Sequence, residues 1–251
     1  MCRLLIASLA ALCAIAVARS ASAADLPLPV KAPPLPPAYS WSGFYLGIEG
    51  GGAWGRTQYT AADPGFPAFL GLPITNPFNV SGGLLGGTVG YNWQFSNWIV
   101  GAEGDLSWVS KSGTNNDILP FTPAWTNTTK EMWLGTGRLR LGFTPADRWL
   151  VYATGGFAVA GVEATVDAAA TGAGIFSQTQ TRWGWTVGGG VEAAINRNWS
   201  LKAEYLYVDL QNGTYFSPDI VSAGQTIITR TVTLNNNILR AGINYKFDWV
   251  H

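Results

Sequence analysis

From residue 43 onward, apolar and polar side chains alternate with period two, the spacing of a strand that presents two different faces. The sharpest run is WGWTVGGGVEAAI at 183–195. Trp183, Trp185, Val187, Gly189, Val191, Ala193 and Ile195 share one face, and Thr186 and Glu192 lie among the small residues of the other. The closing segment behaves alike, with Leu239, Ala241, Ile243, Tyr245 and Phe247 on one face and Ile238, Arg240, Gly242, Asn244 and Lys246 on the other. The pattern predicts eight strands, near 43–56, 82–94, 97–110, 131–144, 148–165, 181–196, 198–211 and 231–247. For 148–165 the parity is open: either Tyr152 and Thr154 or Val151 and Ala153 point inward.

The connections sort by length. Turns at Phe95-Ser96-Asn97, Pro145-Ala146-Asp147 and Asn196-Arg197-Asn198 are tight. Polar stretches near 57–81, 111–130, 166–180 and 212–230 are long. Short turns at one end and long loops at the other describe an all-β, eight-stranded antiparallel up-and-down transmembrane β-barrel. A soluble sandwich has no reason to sort its loops this way, and closure removes the unpaired edges that lipid does not tolerate.

Aromatic spacing gives the strands a height. Phe44 and Trp54, Trp98 and Trp108, and Trp133 and Phe143 are each ten residues apart on one strand face. Ten residues at ~3.3 Å, tilted about 40°, project to roughly 25 Å, the apolar band between two aromatic girdles. Tyr245 and Phe247 join the girdle beside the short turns. The opposite face collects Glu49, Glu103, Asp105, Arg138, Arg140, Glu192, Lys202, Glu204, Arg240 and Lys246. Isolated charges in so narrow a lumen are costly, so these should pair. An eight-stranded interior is one that side chains can just fill. The expectation is an ion-pair network that plugs the lumen; the alternatives are a narrow porin-like channel and a small-ligand transport or binding barrel.

Composition narrows the function further. Charged residues are 12%, aromatics 13%, and there are 31 Gly and 12 Trp. The formal net charge of +0 gives no basis for a nucleic-acid partner. The one histidine is His251, past the last strand, and both cysteines, Cys2 and Cys13, fall in an N-terminal apolar segment. Catalytic triads, thiolate nucleophiles and His/Cys metal sites therefore lack their residues, and no catalytic, cofactor or metal site is expected. Glu103 and Asp105 form an acid pair, but Arg138 and Arg140 on the neighbouring strand neutralise it. No Lys-Ser/Thr pair follows the in-strand glycines, as a phosphate-cradling loop would require. A secreted carbohydrate-binding sandwich is disfavoured by the lipid-facing tryptophans Trp54, Trp108 and Trp133.

Residues 1–23 read as a cleaved signal peptide: Arg3, an apolar run from Leu4 to Val17, and Ala21-Ser22-Ala23 before the cut. The run is shorter than the ~20 residues of a spanning helix. Residues 24–40, with Pro27, Pro29, Pro33, Pro34, Pro36 and Pro37, form an extended periplasmic spacer, and 41–251 form the barrel. The long loops carry Phe66, Phe69, Phe78, Phe121 and Trp125, which either offer a contact surface or pack over the barrel mouth.

Three stretches carry a family resemblance: the start ADLP followed by WSGFYLGIEGGGAWG, then GGLLGGTVGYNWQFSNWIVGAEGDLSW, and the ending LRAGINYKF. The chain resembles the small outer-membrane β-barrel proteins of Gram-negative bacteria, of the opacity-antigen and OmpA-barrel type, often labelled the porin family. The resemblance implies export to the outer membrane, a role in envelope integrity and surface display as an antigen, and no catalytic residues. Its partners would be outer-membrane lipid and lipopolysaccharide, the barrel-assembly machinery reading the C-terminal strand, and a surface ligand for the long loops. Such chains usually end on an aromatic, here Phe247; this one continues through Trp249 to His251, so either aromatic is a candidate assembly signal.

Overall fold

In the computed structural model, which describes residues 39–62, 74–116, 125–168, 174–218 and 227–247, eight antiparallel strands close into a barrel in chain order. The strands are β1 (Gly43–Ala62), β2 (Ile74–Phe95), β3 (Trp98–Asn116), β4 (Trp125–Ala146), β5 (Trp149–Ala168), β6 (Gly174–Ala194), β7 (Trp199–Pro218) and β8 (Ile227–Lys246). The expected signal peptide and most of the expected spacer lie outside the described residues, as do Phe66, Phe69, Phe121, Trp249 and His251.

Closure comes from β1 pairing with β8, from Tyr45↔Lys246 up to Ala62↔Thr229. At its foot, Phe247 N donates to Phe44 O at 2.9 Å. The tight turns gather at this same end. In the β2–β3 turn, Ser96 adopts φ 56°, a left-handed conformation that lets two residues reverse the chain.

The period-two rule holds along the strands. On β3, Trp98, Val100, Ala102, Leu106 and Trp108 face outward, while Ile99, Glu103, Asp105, Ser107, Val109 and Lys111 are buried inside. Outward apolar side chains stay exposed, among them Leu85 at 70%, Leu139 at 70% and Ile48 at 66%. This is the surface a hydrocarbon solvent favours. On β5, Tyr152 and Thr154 are the buried pair, which resolves the open parity.

The strands are longer than the hydrophobic pattern predicts. They run 19 to 22 residues, whereas a tilted strand crosses hydrocarbon in about 9–11. The expected loops 57–81, 111–130, 166–180 and 212–230 are therefore largely ladder. Twenty residues at ~3.3 Å and a 40° tilt give about 50 Å of barrel height, twice the apolar band. In the extension the outer face meets water, so its apolar residues give way to hydroxyl pairs such as Thr114 with Thr128 at 3.2 Å, while Ala164, Tyr215 and Val232 still pack together inside. Register shifts occur where the upper tryptophans sit, between Trp108 and Lys111 and between Glu131 and Trp133.

One seam is incomplete. The β6–β7 ladder runs only from Gly184↔Leu210 to Ala194↔Ser200. Above it, side chains of β6 reach across to β7 carbonyls: Arg182 Nε to Gln211 O at 3.0 Å and Gln180 Nε2 to Thr214 O at 2.9 Å. Arg182 Nη2 continues to Val232 O on β8 at 2.6 Å.

Candidate functional site

The lumen is the place where chemistry-bearing side chains converge. The strand pleat aims them there, and glycine makes room for the largest. Tyr45 stands opposite Gly90 and Tyr152 opposite Gly190. A Cβ on Gly190 would lie 2.6 Å from the Tyr152 hydroxyl.

Nine of the ten expected lumen charges meet. Arg138 binds Glu103, and reaches Asp105 at 2.8 Å and Glu204 at 3.0 Å. Arg240 binds Glu49, and reaches Glu204 at 2.6 Å and Asp105 at 3.1 Å. Lys202 lies 3.0 Å from Glu49 and 3.4 Å from Glu103. Arg140 joins Glu103 at 3.3 Å to Glu192 at 2.9 Å. Side chains of these pairs are at most 4% exposed.

Neutral partners complete the shell. Tyr45 OH donates to Glu103 at 2.6 Å and accepts from Arg140 at 2.7 Å. Tyr152 OH donates to Glu204 at 3.0 Å, and its ring lies 3.8 Å from the Arg140 guanidinium carbon. Ser200 and Asn244 donate to Glu192 at 2.5 and 2.8 Å, and Thr136 donates to Asp105.

The tenth residue departs from expectation. Lys246 is half-buried at the foot of β8, where its ammonium donates to Ser40 O and sits 4.7 Å from the Tyr39 ring centroid. It belongs to the mouth because β8 ends there, too low to reach the cluster. Trp41 is buried at the same mouth, with Ile99, Leu150, Tyr152 and Ala194, and its backbone N donates to Gln94 Oε1 at 2.7 Å. The cluster without Lys246 holds five carboxylates and four bases.

Above the cluster the lumen turns apolar, lined by Leu84, Leu134, Ala158, Ala160, Leu206, Val208, Leu210, Leu234 and Ile238. Phe78, expected among the loop aromatics, is half-buried and packs against this belt from β2. A second polar knot sits in the belt: Lys111 and Glu131 at 2.5 Å, with Asn236 donating to Glu131 at 2.8 Å. Counting this pair and Arg182, the buried charges of the described residues are six acids and six bases.

The sequence reading missed these members for identifiable reasons. Lys111 shares inward parity with Asp105 but lies one residue past the expected end of its strand. Glu131 has the parity of outward Trp133, and the register shift between them turns it inward. Tyr45 shares Glu49's parity and was recoverable.

The expected girdle residues face outward in two rings. Below, the ring centroids of Trp98 and Phe143 lie 5.3 Å apart and those of Tyr245 and Phe247 5.0 Å apart, both edge-to-face, and Phe44 and Phe247 meet tilted at 5.6 Å. Above, Trp54 is 46% and Trp108 80% exposed, with Trp133 directly opposite Trp108. Among the described residues no cluster of His, Cys, Asp or Glu is suited to a metal ion.

Comparison with known proteins places this architecture. Residues 7–247 match the family model described as outer membrane protein beta-barrel domain. The chain is 35% identical over 252 residues to the 31 kDa outer-membrane immunogenic protein of Brucella melitensis, covering 97% of this chain and 98% of the relative. It is 32% identical over 186 residues to the 22 kDa outer membrane protein of Rhizobium leguminosarum, covering 72% and 70%. Neither relative is named as an enzyme. Among solved structures, the outer membrane protein OprG of Pseudomonas aeruginosa superposes with TM-score 0.52 at 14% identity, over 82% of this chain and 96% of that one, a likeness of fold alone. The chain is an outer-membrane protein of Gram-negative bacteria and belongs to the outer membrane protein beta-barrel domain family.

Proposed function

We propose that this barrel is a structural and surface-display protein of the outer membrane, with its lumen closed rather than conducting. The observation that carries the reading is the interlocked cluster of Arg138, Arg140, Lys202 and Arg240 with five carboxylates, buried at the level of the lower strand halves. An ion crossing this layer would have to displace charge-assisted bonds held in a low dielectric. It would then meet the apolar belt around Leu206, Leu210 and Leu234, where the buried polar knot of Lys111, Glu131 and Asn236 is already paired within itself. Two unlike barriers in series support closure.

The height of the barrel supports display. About half of each strand stands beyond the apolar band, presenting a polar collar to the exterior. The immunogenic name of the Brucella relative agrees with such exposure, and we infer the same surface-antigen role here. An envelope-integrity role is tested by deleting the protein from its host and measuring sensitivity to detergents and large antibiotics. Raised sensitivity, restored by the intact chain, is expected; unchanged sensitivity would overturn the structural role.

A further inference from the structure

The outer wall of β7, β8, β1 and β2 carries a cleft of about 440 Å³, lined by Trp54, Arg56, Asn79, Tyr207, Asn235 and Asn237. It is built by register. Arg56 stands directly opposite Asn79 on β2 and Asn235 on β8. Trp54 stands opposite Asn237, which in turn stands opposite Tyr207. All share the outward parity, so the row is continuous across four strands.

Its level in the membrane follows from Trp54, an upper-girdle residue; Arg56 lies one outward step above it. Aromatic girdles mark the interface where headgroups begin. Short turns are at the opposite end, so this interface is the outer leaflet.

The chemistry of the row is incomplete within the protein. Arg56 is exposed and has no ion-pair partner among the described residues. The nearest outward carboxylate along the row is Asp209, opposite Asn235 on its far side and so about 10 Å away across two strand spacings. Asn235 Oδ1 is buried and accepts no hydrogen bond. Asn237 is oriented by Tyr205, whose hydroxyl donates to its Oδ1 at 2.6 Å.

We propose that this cleft binds the phosphorylated saccharide headgroup of an outer-leaflet glycolipid. Arg56 holds a phosphate through its planar fork, which matches that geometry bidentately. Asn79, Asn235 and Asn237 offer both donors and acceptors to sugar hydroxyls, and the orphan Oδ1 of Asn235 gains its donor. The Trp54 and Tyr207 rings provide flat faces for sugar C–H groups. A diacyl phospholipid would supply the phosphate but leave the amide row unanswered. The glycolipid is therefore the fitting occupant of this part of the wall. The site is independent of whether the lumen conducts.

The test uses the full-length chain in mild detergent, with folding verified by a heat-dependent gel shift. Native mass spectrometry would titrate lipid A, its dephosphorylated form and phosphatidylglycerol against the wild type, Arg56→Gln and Asn235→Leu. The wild type is expected to bind lipid A about tenfold more tightly than either variant does, the scale of losing one charged or orphan-satisfying hydrogen bond. Dephosphorylation should remove the advantage over Arg56→Gln, and phosphatidylglycerol should bind more weakly than lipid A, lose affinity in Arg56→Gln and bind Asn235→Leu as it binds the wild type. Unchanged lipid A affinity in Arg56→Gln would overturn the site. Phosphatidylglycerol matching lipid A on the wild type would overturn the saccharide recognition.

Discussion

Arg138 touches carboxylates from two other strands: Glu103 and Asp105 on β3 and Glu204 on β7. Removing it leaves three buried acids short of a partner, and breaking a buried pair typically costs about 3–5 kcal/mol. Arg138→Ala is expected to lower barrel stability by that order, read as an earlier loss of the folded gel band in urea. An unchanged midpoint would deny the cluster its structural weight. At this scale, parity along each strand was enough to locate Glu49, Glu103, Asp105, Arg138, Arg140, Glu192, Lys202, Glu204 and Arg240. It failed in two instructive cases. Lys246 has inward parity but sits at the mouth, because parity gives a face and not a depth. Glu131 points inward against its parity, because a register shift that no residue type announces lies beside it.

Strands were legible where lipid forces their two faces apart, and illegible where it does not. The lower halves, from the tight turns to the upper tryptophans, alternate cleanly and were placed within a few residues. The upper halves face water outside, so Thr, Asn and Ser occupy both faces and read as loop. Leu139 tests the lower half: it faces outward, 70% exposed, near the middle of the apolar band between Trp133 and Phe143. Leu139→Arg should cost ~2–4 kcal/mol, seen as reduced folding into lipid vesicles; normal folding would refute its depth. The upper half has its own weak element in the β6–β7 seam, where Arg182 replaces ladder bonds with bonds to Gln211 O and Val232 O. Hydrogen bonds from a charged donor contribute about 1.5–3 kcal/mol. Arg182→Ala should therefore speed amide hydrogen exchange along β7 above Leu210, while the ladder from Gly184 to Ala194 stays protected. Equal exchange in both proteins would show that the seam is held by other means.

The whole molecule divides along its axis into layers of different chemistry. An aromatic mouth at Trp41 leads to the ion cluster, then to the apolar belt with its Lys111–Glu131 knot. Among the described residues six buried acids balance six buried bases, so they need no counter-ion from solvent. Closure is the central claim, and single-channel conductance of the folded full-length chain in a planar bilayer tests it most directly. The layered lumen predicts silence from preparations whose gel shift proves them folded. Steady, reproducible openings, altered in size by Arg138→Ala, would contradict it and make the charged cluster a permeation path.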